Sequence, residues 1–237
     1  MSLPIERYTS KSYFVNNPTW DIEDSPWKAN FVTNILHFNG ILPRSICDIG
    51  CGAGAVLVTL RGEYPDAELY GYDMAPDVSA FWLQHKQEKI NFFLFDFLGH
   101  NVKTYDVILL LDVIEHISDP FHFLENLSDK AKYFVFHIPL DLSVINILRE
   151  KPILNARKKT GHINYFTKSI ALSLIEECGF KIVEWRYSRA SFTAPKKGFK
   201  TQIANISRRF LCAINKELGV KVLGGETLFV LAQGSNP

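Results

Sequence analysis

From Ser25 onward the apolar positions of the chain recur at two periods, one near 3.6 residues and one near 2. Trp27, Phe31, Ile35 and Leu36 fall at helical spacing after Asp24-Ser25-Pro26 and before Asn39-Gly40, which predicts a lead-in helix with Pro26 in its first turn. SICDIG (45–50) reads as a short buried strand, and AVLVTLRGEY (55–64) as a helix that starts just after a group of glycines. The alternation continues with strand ELYGYD (68–73), helix PDVSAFWLQHKQEK (76–89), strand INFFLFDF (90–97) and loop GHNVKT (99–104). YDVILLLDV (105–113) is apolar almost throughout, as a central strand covered on both faces should be. DPFHFLENLSDK (119–130) predicts a helix, KYFVFHIP (132–139) a fifth strand, and TKSIALSLIEECGF (167–180) a helix stopped by Gly179. KIVEWRYSR and ETLFVLAQG close the chain as two strands separated by a long segment. Strands alternating with helices define an α/β fold with a doubly wound, mainly parallel sheet and helices on both faces.

Composition narrows the class without naming a function. A chain of 237 residues, 47% hydrophobic and 22% charged, suits one domain over 1–237 with a sizeable core. The net charge of +1 gives no reason to expect a nucleic-acid partner. Cys47, Cys51, Cys178 and Cys212 form no CxxC pair and are expected to be free thiols. The start MSLPIERYTSKSYF is not a basic stretch followed by an apolar run, and no window reaches about 18 uninterrupted apolar residues. A cytoplasmic chain without a transmembrane segment is expected.

The glycines between the first strand and the helix after it raise the chemical question. They permit close backbone approach beside unpaired N–H groups at a helix start. Gly50, Gly52 and Ala55 fit the dinucleotide pattern GxGxxA, with Asp73 ending the next strand where ribose hydroxyls would lie. That spacing admits a nicotinamide-dependent oxidoreductase. Asp48, two residues ahead of the turn, would however repel a pyrophosphate and favours a cationic or zwitterionic ligand.

DIGCGAG (48–54), GYD ending at Asp73, FDF (95–97) and YDVILLLDVIEH (105–116) together resemble, in order, the motifs of class I S-adenosylmethionine-dependent methyltransferases. DVIEH is similar to the strand outlet of the ubiquinone-type small-molecule O-methyltransferases. The resemblance spans about Ser45 to Gly179. It implies a seven-stranded sheet whose last strand runs antiparallel between its neighbours, and S-adenosylmethionine as cofactor. It further implies cofactor contacts from Asp48, Gly50 and Gly52, from Asp73 at the ribose, from Met74, and from Asp96 and Phe97 at the adenine. Leu111 and Asp112 would meet the methionine end, and Lys28 its carboxylate. The reading is a methyltransferase acting on a small or lipid-linked acceptor, at oxygen in the simplest case. A non-catalytic regulatory module that binds the same cofactor is an alternative of another class.

The acceptor side offers three histidines on the carboxyl side of the sheet, His116, His137 and His162, each able to serve as a general base near neutral pH. Asp112, Glu115 and His116, with His162 arriving from elsewhere, resemble a set by which some relatives hold a divalent ion. Magnesium or manganese would suit such ligands, but no metal is expected. Residues 1–40 should form a cover region, with Tyr8, Tyr13, Phe14, Trp20 and Trp27 over the pocket. Residues 189–225 should form a basic helical cap, since nine basic residues from Arg186 to Lys221 face one acid, Glu217. Ile203, Ile206, Phe210, Ile214 and Leu218 give that cap an apolar stripe that can bury itself, with the basic face toward an anionic acceptor or a membrane surface.

Overall fold

A computed structural model describes residue 15 and residues 17–100, 103–188 and 212–235. Seven strands, β1 (Ser45–Ile49), β2 (Glu68–Asp73), β3 (Ile90–Leu94), β4 (Tyr105–Leu111), β5 (Ala131–Pro139), β6 (Lys181–Tyr187) and β7 (Thr227–Gln233), form one sheet in the order β3-β2-β1-β4-β5-β7-β6. The first five are parallel, and β7 runs antiparallel to both β5 and β6. Among the described residues the helices include α1 (Ser25–Phe38), α2 (Ala55–Glu63), α3 (Ser79–Trp82), α4 (Phe97–His100), α5 (Pro120–Leu127), α6 (Val144–Arg149), α7 (Lys151–Lys159), α8 (Lys168–Glu177) and α9 (Lys216–Leu223).

The apolar run of β4 is explained by the two cores it serves. Val107, Leu109 and Leu111 pack toward α1 and α2, while Ile108 and Leu110 pack toward the opposite layer with Phe134, Phe136 and Leu124. Each face of the pleat is covered, so strict alternation of polar and apolar residues has no reason to arise. Among the described residues no helix is long and apolar enough to cross a membrane. All four cysteines are free thiols.

Three expectations are corrected. The helix expected over 76–89 is a broken run, α3 flanked by 3-10 turns at Pro76–Val78 and Leu83–Glu88. Neither α3 nor the turn after it buries a residue, so little tertiary packing holds a regular helix there; Trp82 anchors the run by stacking on Phe92 at 5.0 Å. β3 ends at Leu94, not Phe97, because its partner β2 ends at the pair Asp73–Leu94. In the expected basic cap, Ile214 and Leu218 do not bury a stripe: they are 68% and 48% exposed, and Asn215 caps a new helix, α9, between them. Ile203, Ile206 and Phe210 lie outside the described residues, as do Tyr8, Tyr13 and Phe14 of the cover.

Candidate cofactor and acceptor site

The carboxyl ends of β1, β2 and β4 open into a cavity of about 670 Å³. Strand order reverses on either side of β1, and a doubly wound sheet leaves its crevice at that switch point. The glycine turn forms one wall. Gly50 has φ 72° and a Cβ there would come within 2.9 Å of Val113, while at Gly54, with φ 79°, it would meet the Phe92 ring at 2.5 Å. No other residue fits either position without displacement. Gly54 belongs to the quoted motif, yet periodicity alone gave it no role; the proximity of Phe92 supplies one.

Hydrogen bonds tie this turn to the end of β2. Gly50 and Cys51 both donate to the Tyr72 carbonyl, at 2.8 and 3.0 Å. Gly52 N–H donates to Asp73 Oδ2 at 2.8 Å, and Ala75 N–H to Asp73 Oδ1 at 2.9 Å. Asp73 therefore organises the turn as well as lining the cavity. Burial raises its carboxyl above the ordinary range, against the pull of those backbone donors. Met74, Asp96, Phe97 and Leu111 also line the cavity. Asp96 accepts from Leu98 N–H at 3.3 Å, which helps start α4. Phe97 is buried against Tyr72, with ring centroids 5.1 Å apart, whereas Phe95 is 54% exposed and offers the more accessible ring on the same wall.

The lining is acidic. Asp21, Asp24, Asp48, Asp73, Asp96, Asp112 and Asp119 face a single amine, Lys28, among the described lining residues. Burial pushes Asp48 up to about 8, opposed by Lys28 and reinforced by Asp73. A neutral Asp48 repels a phosphate less than its sequence position suggested, so the preference for a cation passes to the lining as a whole. Lys28, on α1, places Nζ 2.6 Å from Asp112 Oδ2, and Asp112 Oδ1 lies 2.7 Å from His137 Nδ1. Burial works against the Asp112 charge, but His137 and Lys28 outweigh it and hold the carboxyl well below its usual range. For Lys28, burial is likewise outweighed, by Asp112 first, and its ammonium is held above the ordinary value.

The three histidines separate by environment. His137 is buried, with Nε2 2.6 Å from Thr227 Oγ1 and Nδ1 against Asp112, so both ring nitrogens are engaged by protein. His162 is held at Nδ1 by Asp141 Oδ2, 2.6 Å away, and its ring lies 5.1 Å from that of His116. That proximity has a backbone cause. Ile163 and Asn164 N–H both donate to the Glu115 carbonyl, at 2.8 and 3.0 Å, and the Asn164 amide donates to Ile117 O at 2.7 Å. The GHINYF loop is thereby fastened to the β4 outlet. His116, His162, Asp119, His122, Phe123 and Thr160 line this end of the cavity. Asp141 and Thr227 carry no motif and could be found only once their neighbours were placed.

Glu115 is fully buried, neither carboxyl oxygen has a hydrogen-bond partner, and burial, then Asp112, pushes its titration well above the ordinary range. Ligand atoms of Glu115, His116 and His162 lie within 4.8 Å of one another. Asp112, the first member of the set expected from sequence, is instead taken up by Lys28 and His137; His162 stands where it was expected to contribute.

The model of the methyltransferase-domain family matches residues 28–185. The chain belongs to that family, as a class I S-adenosylmethionine-dependent member. Ubiquinone biosynthesis O-methyltransferase of Aliivibrio fischeri (strain MJ11) is 24% identical over 127 residues, covering 48% of this chain and 53% of that protein. The enzyme of the same name from Rickettsia typhi is 29% identical over 99 residues, 41% of this chain and 40% of its own. The chain thus spans about half the length of the curated relatives it matches. The fold is shared with the plantazolicin methyltransferase BpumL in complex with a monoazolic desmethylPZN analog and S-adenosylhomocysteine (TM-score 0.62, 18% identity, 99% of this chain and 96% of that one). It is also shared with N-methyltransferase NodS of Bradyrhizobium japonicum WM9 in complex with S-adenosylhomocysteine (TM-score 0.59, 16% identity, 97% and 96%).

Proposed function

We propose that this protein methylates an oxygen of a small or lipid-linked acceptor, with His162 as the general base and Asp141 as its positioning residue. The observation that carries the reading is the 2.6 Å contact between Asp141 Oδ2 and His162 Nδ1 at the acceptor end of an acid-lined cavity. A carboxylate on Nδ1 fixes the tautomer, leaves Nε2 to accept a proton, and steadies the imidazolium that results. The bound cofactor supplies an electrophilic methyl group on a sulfonium. His162 Nε2 would take the acceptor's hydroxyl proton as that oxygen is methylated. Asp73 and the glycine turn would hold the ribose end, the wall of Phe95 and Asp96 the adenine, and Lys28 with Asp48 the methionine end. His116 lies beside the base as a second polar contact for the acceptor, and His137 supports Asp112. Oxygen as the target is supported by the names of the relatives in sequence.

A panel of phenols, alcohols and amines, followed by release of S-adenosylhomocysteine, tests this. His162→Ala should lower turnover about a hundredfold or more with cofactor affinity kept, as loss of a general base does. Full turnover in that variant, or methylation confined to amines, would overturn it.

The buried Glu115 carboxyl, which no hydrogen-bond donor reaches, favours a second reading of the same corner. Glu115, His116 and His162 fit a divalent cation, since a buried carboxyl without donors gains from a positive charge and a ligating histidine is commonly oriented by a carboxylate on its other nitrogen. Magnesium or manganese would polarise a hydroxyl of the acceptor there. Chelation separates the two readings.

A further inference from the structure

Helix α6 turns an apolar stripe outward. Val144, Ile147 and Leu148 occupy i, i+3 and i+4 and are 48%, 54% and 79% exposed, and Leu154 on α7 is 48% exposed. On an ordinary surface helix that stripe faces the core. Around it stand Arg149, Lys151, Arg157, Lys158 and Lys159, all exposed, against one exposed acid, Glu150. α9 packs beside α6, where Gly224 lets the chain approach Ser143 closely. It adds Leu218, Lys216 and Lys221, all exposed, while its acid Glu217 is paired with Lys168 at 2.7 Å.

We propose that α6, α7 and α9 form a docking face for an anionic lipid surface. An apolar stripe bordered by ammonium and guanidinium groups matches a bilayer interface, in which acyl chains receive the leucines and headgroup phosphates receive the cations. A protein partner fits less well, because the centres of protein interfaces are poor in lysine. The face also adjoins the acceptor end of the cavity: α7 runs directly into Thr160 and His162, which line it. Docking would therefore bring the entrance close to the membrane plane. The inference rests on the surface alone and stands whichever atom is methylated.

Co-sedimentation of the full chain with vesicles of phosphatidylcholine, with and without phosphatidylglycerol, tests it. The protein should pellet with the anionic vesicles and remain in solution with the neutral ones, and added salt should release it. The double variant Lys151→Glu/Lys158→Glu should lower partitioning by roughly tenfold or more, since each basic residue near such a surface contributes roughly fivefold. Ile147→Ser/Leu148→Ser should lower it at unchanged charge, and unaltered cofactor titrations would show both variants folded. If a double variant misfolds, the single Leu148→Ser and the contrast between vesicle types in the parent chain decide. No pelleting, equal pelleting on neutral vesicles, or variants that bind as the parent does would overturn the proposal. So would a concentration-dependent dimer that Leu148→Ser dissolves, which would assign the face to a second copy.

Discussion

Lys28 Nζ and Asp112 Oδ2, 2.6 Å apart, join the lead-in helix to the outlet of the central strand across the cavity wall. Asp112 sits at φ 60°, a left-handed conformation uncommon for a residue with a side chain, and Lys28 and His137 grip its two oxygens. Lys28→Met leaves that carboxylate with His137 alone. With Asp112 30% exposed toward the cavity, the loss should be about 2 kcal/mol, between the values for surface and buried pairs, as read by urea denaturation. Adding Asp112→Asn should return part of it, because the residual charge is then gone. Equal stability of all three chains would show that the pair contributes nothing.

Asp48 predicts a pH dependence of cofactor binding. Its folded-state value of about 8 lies above the ordinary carboxyl value, so between about pH 4 and 8 the cofactor-free fold holds a proton that the unfolded chain releases. Stability from this group is present at low pH and lost as pH rises through that window. A cationic cofactor favours the ionised form, so binding should expel up to one proton and tighten by at most about tenfold per pH unit until pH 8. Calorimetry in buffers of different ionisation enthalpy measures the proton directly. Asp48→Asn should flatten the slope; an unchanged slope would remove Asp48 from the cofactor's reach.

Asp73→Ala should weaken S-adenosylmethionine by about 1.5 to 3 kcal/mol, one to two decades in affinity, for loss of charge-assisted hydrogen bonds. Because Gly52 and Ala75 also lose their acceptor, faster amide exchange at those two positions should accompany the loss. Unaltered affinity would show that the ribose is held elsewhere.

The histidines should divide by phenotype. His137→Ala removes one partner each from Asp112 and Thr227 and is expected to lower stability, whereas His116→Ala and His162→Ala should lower turnover with the fold and cofactor affinity intact. Chelator should leave activity unchanged if His162 acts as a base, and abolish it, with recovery on adding magnesium or manganese, if the Glu115 cluster holds a metal.

The frame of the sheet could be read from the chain because its signals are local. Asp48, Gly50, Gly52 and Asp73 lie within one strand, turn and strand, and their order reports their neighbourhood. The proposed acceptor corner is assembled from Ile114–His116, Asp141 and His162, whose sequence separation hides a contact made through the Glu115 carbonyl. α6 and α7 went unread for a different reason. Their apolar residues point outward, and the pattern that predicts helices assumes that such residues point in.

The place of β7 in the sheet has a temporal consequence. Thr227, which bonds His137, opens a strand that enters between β5 and β6 after both have been synthesised. On the ribosome, β5 and β6 must therefore wait with open backbone edges, each a template for pairing with another chain. The pocket's His137 support and the closing of those edges arrive in one event. A nascent chain halted before Thr227 would be both without that support and prone to aggregate.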